Sequence, residues 1–492
     1  MDFAEELRAC LEGFLAGAPL EIRENGGRVS PSGSLSWEVR GAAAKPLLHL
    51  WAENCNITRR VLAVTSQSED RMTLAVERFG RSKPDRMEIV RLSFARNPRQ
   101  LSREEFCEQL RRILAEQFPD ESIERLSIAA DLEHSLSGVY ARGIACRGSA
   151  SCAFLAVPEG ESQDAMESSL TYALLWLDRV RQTSAHSKIS TLRLILPKGR
   201  APAVAQRLAA MDSRLAVQVY ELNPLSETLE RVNPCANGNL SSWLVPQRES
   251  QRLLDRVDAA LAPIVAMAPE AITAHASPQN QEVLLRFRGL AFARWHDGKV
   301  HFGADAVWEE LSGDTESALQ QLVMNLQTFR NPLASDLRHP LYRGQAERWM
   351  QSFVLEDVSR VDITLDPRHV YEQVFVQSAG QHGILDLLAV TGAGRLAILE
   401  LKATENLDLP LQAADYWSRI RCHQAQGDLT RNGYFSGLEL QSAPPLVYLV
   451  APALRFHPST DALLHFLSPE MEVIRVGLAE SWRKGLRVMM RQ

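Results

Sequence analysis

Apolar positions recur at helical spacing over residues 2–15, and then the pattern shortens. Between residues 35 and 92 it breaks into runs rich in Val, Leu and aromatics at 35–40, 46–51, 59–65, 72–79 and 87–92. Turn-forming clusters at 24–27, 31–34, 66–70 and 80–85 punctuate this stretch. Short runs bounded by turn residues predict an antiparallel meander or a small barrel. A helix at 104–117 is expected to close this β-rich N-terminal module, which spans 1–118.

The next stretch, 119–245, reads as helix (128–137), strands (139–146 and 151–158), helix (168–182), strand (191–197), helix (201–211) and strand (215–222). Strands separated by helices predict an α/β layer. Residues 233–239, with Pro234, Gly238 and three Asn, mark a boundary. Residues 246–335 read as a connector: an amphipathic helix (250–265), a hairpin (283–295 with 299–302) and a helix (315–329). His296 and His301 read as polar turn and strand residues, because no third ligand has matching spacing. Residues 336–492 then run through the same order of elements as 119–245. The expected fold class is therefore α/β and α+β multidomain, with a mixed sheet flanked by helices at the C-terminus.

Length agrees, since 492 residues supply three or four domains at roughly 150 residues each. Lys and Arg total 54 against 60 Asp and Glu, a net charge of −6. That balance excludes a protein that holds nucleic acid by bulk positive charge; such contact needs a local basic surface. Hydrophobic residues at 45% exclude wholesale disorder. No apolar run reaches the ~18 residues that span a bilayer, and the start, MDFAEELRAC, carries acids where a secretory signal carries lysines. The seven cysteines are scattered without a C-x-x-C, so no disulfide framework or zinc site is expected. The expectation is a reduced, cytoplasmic protein with no membrane partner.

The chemical signal lies in two nearly continuous apolar runs, 383–390 (GILDLLAV) and 396–403 (LAILELKA). Such runs suit strands covered on both faces, yet they contain Asp386, Glu400 and Lys402. Buried charges are costly unless paired or metal-bound. The strands are joined by Thr391-Gly392-Ala393-Gly394-Arg395. A turn centred on Ala393 puts Asp386 directly opposite Glu400, about 4.5–5.5 Å apart at Cβ. Two carboxylates so close push one pKa upward, and a divalent cation removes the conflict. Oxygen ligation of this kind suits Mg²⁺ or Mn²⁺. Lys402 shares the strand face of Glu400, and the Leu401 carbonyl is a further candidate oxygen ligand.

This constellation resembles the PD-(D/E)XK nuclease superfamily, whose core is an acidic residue, a hairpin, then Glu-x-Lys; here Asp386 and Glu400-Leu401-Lys402. The family's leading proline is replaced by Leu385. The resemblance covers about residues 344–477 and implies Glu347, beside an apolar helical face of Ala346, Trp349, Met350, Phe353 and Val354, as a further metal ligand. Downstream, Asp408 and Pro410 read as N-cap and first-turn proline. Gln412 and Tyr416 then look like the Q-x-x-x-Y element of the RecB-like branch, with Arg419 and His423 continuing that face toward a phosphate surface. The function implied is Mg²⁺- or Mn²⁺-dependent hydrolysis of DNA phosphodiesters, RNA not being excluded, in repair, restriction or defence. Asp386, Glu400 and Lys402 would be catalytic; Gln412, Tyr416 and Arg419 would support the site or touch substrate. Two rivals are a non-catalytic nucleic-acid binder on the same fold, and a sensor whose N-terminal module takes a regulatory protein or ligand.

The middle domain reads as a degenerate second copy. Residues 170–181 align with 410–421, placing Ala173 on Ala413, Trp176 on Tyr416, Arg179 on Arg419 and Arg181 on Arg421. Residues 153–158 align with 397–402, so Glu400 becomes Ala156 and Lys402 becomes Pro158. With hairpin length kept, Asp386 becomes Arg142, and Glu133 echoes Glu347. No G-x-x-x-x-G-K-[ST] or G-x-S-x-G is present, which argues against ATP-driven translocation and against a serine hydrolase.

Overall fold

Leu7, Leu11 and Phe14 fall on one face of α1 (Phe3–Leu15) and are buried against Ile22, Leu48, Val61, Leu74 and Ile89. These belong to the first of two compact units, 1–105 and 106–492, in a computed structural model. It describes residues 3–15, 20–24, 27–28, 36–40, 46–52, 55–67, 71–77, 85–91, 98–148, 150–182, 189–223, 226–236, 239–304, 308–372, 374 and 385–492. The strands of the first unit are β1 (Leu20–Glu24), β2 (Gly27–Arg28), β3 (Ser36–Arg40), β4 (Leu47–Ala52), β5 (Cys55–Gln67), β6 (Arg71–Glu77) and β7 (Asp85–Arg91). They form one antiparallel sheet in the order β2-β1-β7-β6-β5-β4-β3. β3 to β7 make the expected meander. β1, unmarked by the sequence pattern, pairs with β7. The described strands leave β2 and β3 as edges, an open sheet and not a closed barrel. The turn clusters at 31–34 and 80–84 lie outside the described residues.

The helix expected to close that module does something else. Phe106, Leu110, Ile113 and Leu114 on α2 (Pro98–Gln117) are buried against Ala141, Phe154, Ala156 and Ile195. Their helical spacing makes one apolar stripe, and it covers a six-stranded mixed sheet. That sheet holds β8 (Ser122–Ser127), β9 (Ala141–Arg147), β10 (Ala150–Ala156), β11 (Thr191–Pro197), β12 (Ala216–Asn223) and β13 (Thr228–Val232). α3 (Gln163–Arg181) connects β10 to β11, and α4 (Ala205–Ala209) connects β11 to β12. The helix expected at 128–137 is absent: β8 is followed by turns and an Asp131–Leu136 bridge. Ser127 and Ser137 hydroxyls accept the Ala129 and Val139 amides, and Asp131 accepts the His134 amide. Such local bonds compete with helix formation. Glu133 is exposed on this turn and does not echo Glu347.

Residues 246–335 are more than a connector. α5 (Gln247–Val265) and α6 (Glu316–Phe329) share a core with an antiparallel sheet of β14 (Ile272–Ser277), β15 (Glu282–Phe287), β16 (Leu290–His296), β17 (Lys299–Phe302) and β18 (Glu309–Glu310). The run expected as one strand, 283–295, is two, because Arg288 (φ 43°) and Gly289 (φ 80°) form a tight turn. A Cβ on Gly289 would lie 2.1 Å from the Arg348 carbonyl, so only glycine allows that approach.

After α7 (Pro340–Arg343) and α8 (Ala346–Glu356) comes the second mixed sheet: β19 (Leu387–Val390), β20 (Leu396–Leu401), β21 (Leu446–Pro452), β22 (Val473–Leu478) and β23 (Val488–Arg491). α9 (Leu409–Gln426) and the short α10 (Asp428–Arg431) connect β20 to β21, and α11 (Thr460–Leu464) connects β21 to β22. Trp349, Met350, Phe353 and Val354 of α8 are buried on its outer face, as the apolar pattern predicts.

The two mixed sheets share one plan. In each, an antiparallel hairpin (β9–β10, β19–β20) is followed by two parallel strands and an antiparallel edge strand. Their inner faces meet in one core, where Leu170, Leu174 and Trp176 join Leu411, Ala414, Ile420, Leu463 and Phe466. At its centre Met211 and Leu467 form an antiparallel bridge. The Asp212 amide donates to Phe466 O at 2.9 Å and the Ser468 amide to Ala210 O at 2.8 Å. Each residue follows the short helix that precedes the fourth strand of its hairpin-and-parallel core. A contact between equivalent positions is the mark of a two-fold relation, here inside one chain.

Hydrogen-bond phase fixes the equivalences. The Val157 amide donates to Ile195 O at 2.9 Å, as the Lys402 amide donates to Val450 O at 2.9 Å. Val157 therefore stands where Lys402 does, and Leu155 where Glu400 does. The faces agree: Leu155 points into the shared core, whereas Ala156 packs under α2. Leu155 pairs with Arg142, so Arg142 occupies the Asp386 place. The ungapped alignment to Ala156 and Pro158 is thus one residue out, while Arg142 keeps the Asp386 place because the hairpins also differ in length: Arg147 pairs with Ala150, Val390 with Leu396. A slip of one residue moves a strand's side chains to the other face.

Candidate active site

The β19–β20 hairpin pairs Leu387 with Leu399 and Val390 with Leu396. Continuing that register one step brings Asp386 opposite Glu400, as a turn centred on Ala393 requires. Gly394 (φ 88°) closes the turn, where a Cβ would sit 2.3 Å from the Glu439 carbonyl. Gly383 and Ile384, at the start of the apolar run, lie outside the described residues.

Asp386 Oδ2 accepts the Leu401 amide at 2.9 Å, so Leu401 meets Asp386 through its N–H. Glu400 is 2% exposed. Its Oε1 accepts from Lys402 Nζ at 3.0 Å, whereas its Oε2 is buried with no hydrogen-bond partner. Burial raises the Glu400 pKa to about 8, helped by the charge of Asp386 and opposed by Lys402. Burial also raises Asp386, against Lys402, the Leu401 amide and Arg348. For Lys402 burial acts downward, yet Glu400, Asp386 and Glu347 outweigh it and hold the ammonium above its ordinary value.

Glu347 stands apart from buried Glu400 and half-buried Asp386. It is 42% exposed at the side chain, and its Oε2 lies 3.8 Å from Lys402 Nζ. Among the described residues no group of three or more His, Cys, Asp or Glu side chains is placed to hold a metal ion. Glu347, the third carboxylate expected at the metal, thus stands beside the ammonium and partly in solvent.

On α9 the buried Gln412 Oε1 has no hydrogen-bond partner. Burial raises the Tyr416 hydroxyl well above its usual value, with Glu400 and Asp415 adding to the effect. Tyr416 thus borders the site, and Gln412 lies one turn earlier on the same helix face. Arg419 and His423 do not present a phosphate surface. Arg419 is buried and ion-paired with Asp415, and His423 is buried between Asp428 at 2.8 Å and Ser242 at 2.9 Å. Asp408 stands at the N-cap position of α9 without a side-chain cap bond. Its carboxylate instead takes Arg207 and Thr171 from the middle domain, charge-assisted bonds stronger than a neutral cap.

Four further residues reach the site. Gln351 Nε2 donates to Asp386 O and to Glu372 Oε2, each at 3.1 Å, while its Oε1 accepts from Arg348 at 2.6 Å. Arg286 on β15 donates to Glu372 Oε2 at 3.0 Å. Gln351 lies four residues beyond Glu347 on α8, a helical spacing that could have pointed to it. Nothing in the local sequence marks Arg286, which comes from another sheet.

In the middle domain the equivalent place is filled. Arg142 is buried, donating to Ser137 O at 3.3 Å and Ala129 O at 2.5 Å, with its guanidinium 5.8 Å from the Trp176 ring centre. Trp176 Nε1 donates to Gly143 O at 2.9 Å. Trp176 lies beside Arg142 as Tyr416 lies beside Asp386 and Glu400.

No protein-family model matches this chain, and no curated protein matches it in sequence. Among the described residues no helix is long and apolar enough to cross a membrane.

Proposed function

We propose that the C-terminal domain is a PD-(D/E)XK-like, Mg²⁺- or Mn²⁺-dependent nuclease that hydrolyses DNA phosphodiesters. The observation that carries this reading is the buried, unpartnered Glu400 Oε2 opposite a second, half-buried carboxylate. An acceptor left unsatisfied at low dielectric costs about 1–3 kcal/mol or more, and a hard cation between Asp386 and Glu400 would repay it. The Leu401 carbonyl and Glu347, through water, would complete the oxygen set. The ion, when bound, would lower the pKa of water and balance negative charge on the scissile phosphate. Lys402, held protonated by its three carboxylate neighbours, acts as a donor and a positive charge and not as a base. It would orient the attacking water and offset charge growing on phosphate oxygen. Gln412 and Tyr416 would hold the substrate side of the site. The middle domain is read as a copy of this fold that has lost its ligands.

The non-catalytic reading has its own support in the closed Glu400–Lys402 pair at 3.0 Å, which partly neutralises the site without a metal. Incubation of the purified chain with plasmid, linear and single-stranded DNA, with Mn²⁺, Mg²⁺ or EDTA, separates the two. The nuclease reading expects metal-dependent cutting that Glu400→Ala and Lys402→Ala abolish. Intact DNA with a normal gel shift supports the binder.

A further inference from the structure

Asp386 lies one residue ahead of β19, where the strand ladder begins at the Leu387–Leu399 pair. Its placement therefore depends on groups outside that ladder. Gln351 of α8, 2% exposed, donates to the Asp386 carbonyl at 3.1 Å, and the Leu401 amide donates to its Oδ2 at 2.9 Å. Main chain and carboxylate are each held once. The Gln351 amide is itself fixed from both ends: Arg348 donates to its Oε1 at 2.6 Å, and its second amide hydrogen goes to Glu372 Oε2 at 3.1 Å. A guanidinium at one end and a carboxylate at the other allow a single orientation of that amide. Glu372 is pinned in turn. Its neighbour Tyr371 bridges Leu388 on β19 through main-chain bonds of 2.8 Å in both directions. The Glu372 carboxylate meets His275 through Oε1 and Arg286 through Oε2. His275 lies on β14 and Arg286 on β15, both in the five-stranded sheet. The same sheet reaches α8 again where Gly289 packs against the Arg348 carbonyl.

We infer that Gln351 is the positioning residue for Asp386, and that Arg286 holds Gln351 in place through Glu372, which makes the five-stranded sheet a working part of the candidate metal centre. This rests on the nuclease reading of the Asp386–Glu400 site. An ion shared by two carboxylates tolerates little displacement of either, and the groups behind its ligands set much of its affinity. Without Arg286, Glu372 loses its cation and the Gln351 amide loses the fixed acceptor that orients it. Without Gln351, the Asp386 carbonyl loses its donor.

Calorimetric titration of the full chain with Mn²⁺ alone, at pH 8 and well below each variant's melting temperature in EDTA, tests it. Gln351→Met and Arg286→Met are expected to bind Mn²⁺ about tenfold more weakly than the parent. Arg286→Lys should recover most of that loss, since it keeps a cation for Glu372. Arg330→Met loosens the same sheet from α8 through other carbonyls, and should lower the melting temperature while keeping the parent affinity. Parent affinity in Gln351→Met, or an equal loss in Arg330→Met, overturns the inference and leaves the nuclease reading intact. Arg286→Lys as weak as Arg286→Met overturns the part assigned to Arg286. A parent chain that binds no Mn²⁺ overturns both the inference and the reading beneath it.

Discussion

Arg207 and Asp408 make a two-armed ion pair across the join between the two halves: Nη1 meets Oδ1 at 3.0 Å and Nη2 meets Oδ2 at 2.8 Å. Arg207 is buried, on the short helix after β11; Asp408 opens α9, six residues beyond Lys402. The middle domain therefore anchors the loop that leaves the candidate active site.

Removing one partner strands a buried charge. Arg207→Ala is expected to cost about 3–5 kcal/mol, read as a lower urea midpoint. The double variant Arg207→Leu/Asp408→Leu should recover most of it, since neither charge is then left alone. A single variant as stable as the parent would show that water reaches Asp408 freely.

Glu400 sets a pH dependence. Its folded pKa is raised from 4.5 to about 8, so between those values the folded state holds a proton that the unfolded chain has released. Its contribution makes stability fall as pH rises through that window, on the order of 2 kcal/mol even if the shift is only partly expressed. Glu400→Gln should flatten this slope in urea titrations from pH 5 to pH 8. Mn²⁺ should raise the melting temperature of the parent at pH 8 and leave that of Glu400→Gln unmoved. An equal response of both proteins would place the ion elsewhere.

Glu347 separates binding from folding. Because its side chain is 42% exposed, Glu347→Gln should leave stability within about 0.5 kcal/mol. Calorimetric titration with Mn²⁺ should show about tenfold weaker binding, the usual loss for an outer partner of a metal site. Unchanged affinity would confine Glu347 to its contact with Lys402.

Arg330 fastens the five-stranded sheet to α8. Its guanidinium donates to the carbonyls of Phe287, Arg288, Leu341, Gly344 and Gln345, and lies 4.7 Å from the Trp349 ring centre. Burial lowers its pKa to about 9, with Arg483 and Arg288 adding to the effect. Arg330→Met should cost on the order of 3 kcal/mol through the carbonyls left unpaired. Arg330→Lys should not rescue it, having three donors and no planar fork. Hydrogen exchange should quicken at β15–β16 and α8; protection unchanged at both would show that packing alone joins them.

Much of the fold was legible along the chain. Apolar periodicity marked the β meander, the α8 and α9 faces and the strands β9 to β12, β19 and β20, because a buried face repeats at the period of its own element; β8 and β13 went unmarked. The Asp386–Glu400 register was legible too, since the glycine-bearing turn fixes which residues of a hairpin oppose each other. Local pattern failed where a segment chose between partners. The stripe of α2 reads equally as a lid for either neighbouring sheet, and 128–137 lost a helix to Ser and Asp side chains bonding their own backbone.

The sequence by itself determined that two carboxylates and an ammonium would sit in apolar strands at one hairpin, for strand spacing is local. Only the tertiary structure decided that Glu347 turns to Lys402, that Asp408 leaves its cap for Arg207, and that Leu155 and not Ala156 stands for Glu400. Those outcomes depend on charges and faces brought together from distant parts of the chain, where burial strengthens each pairing and no local spacing records the choice.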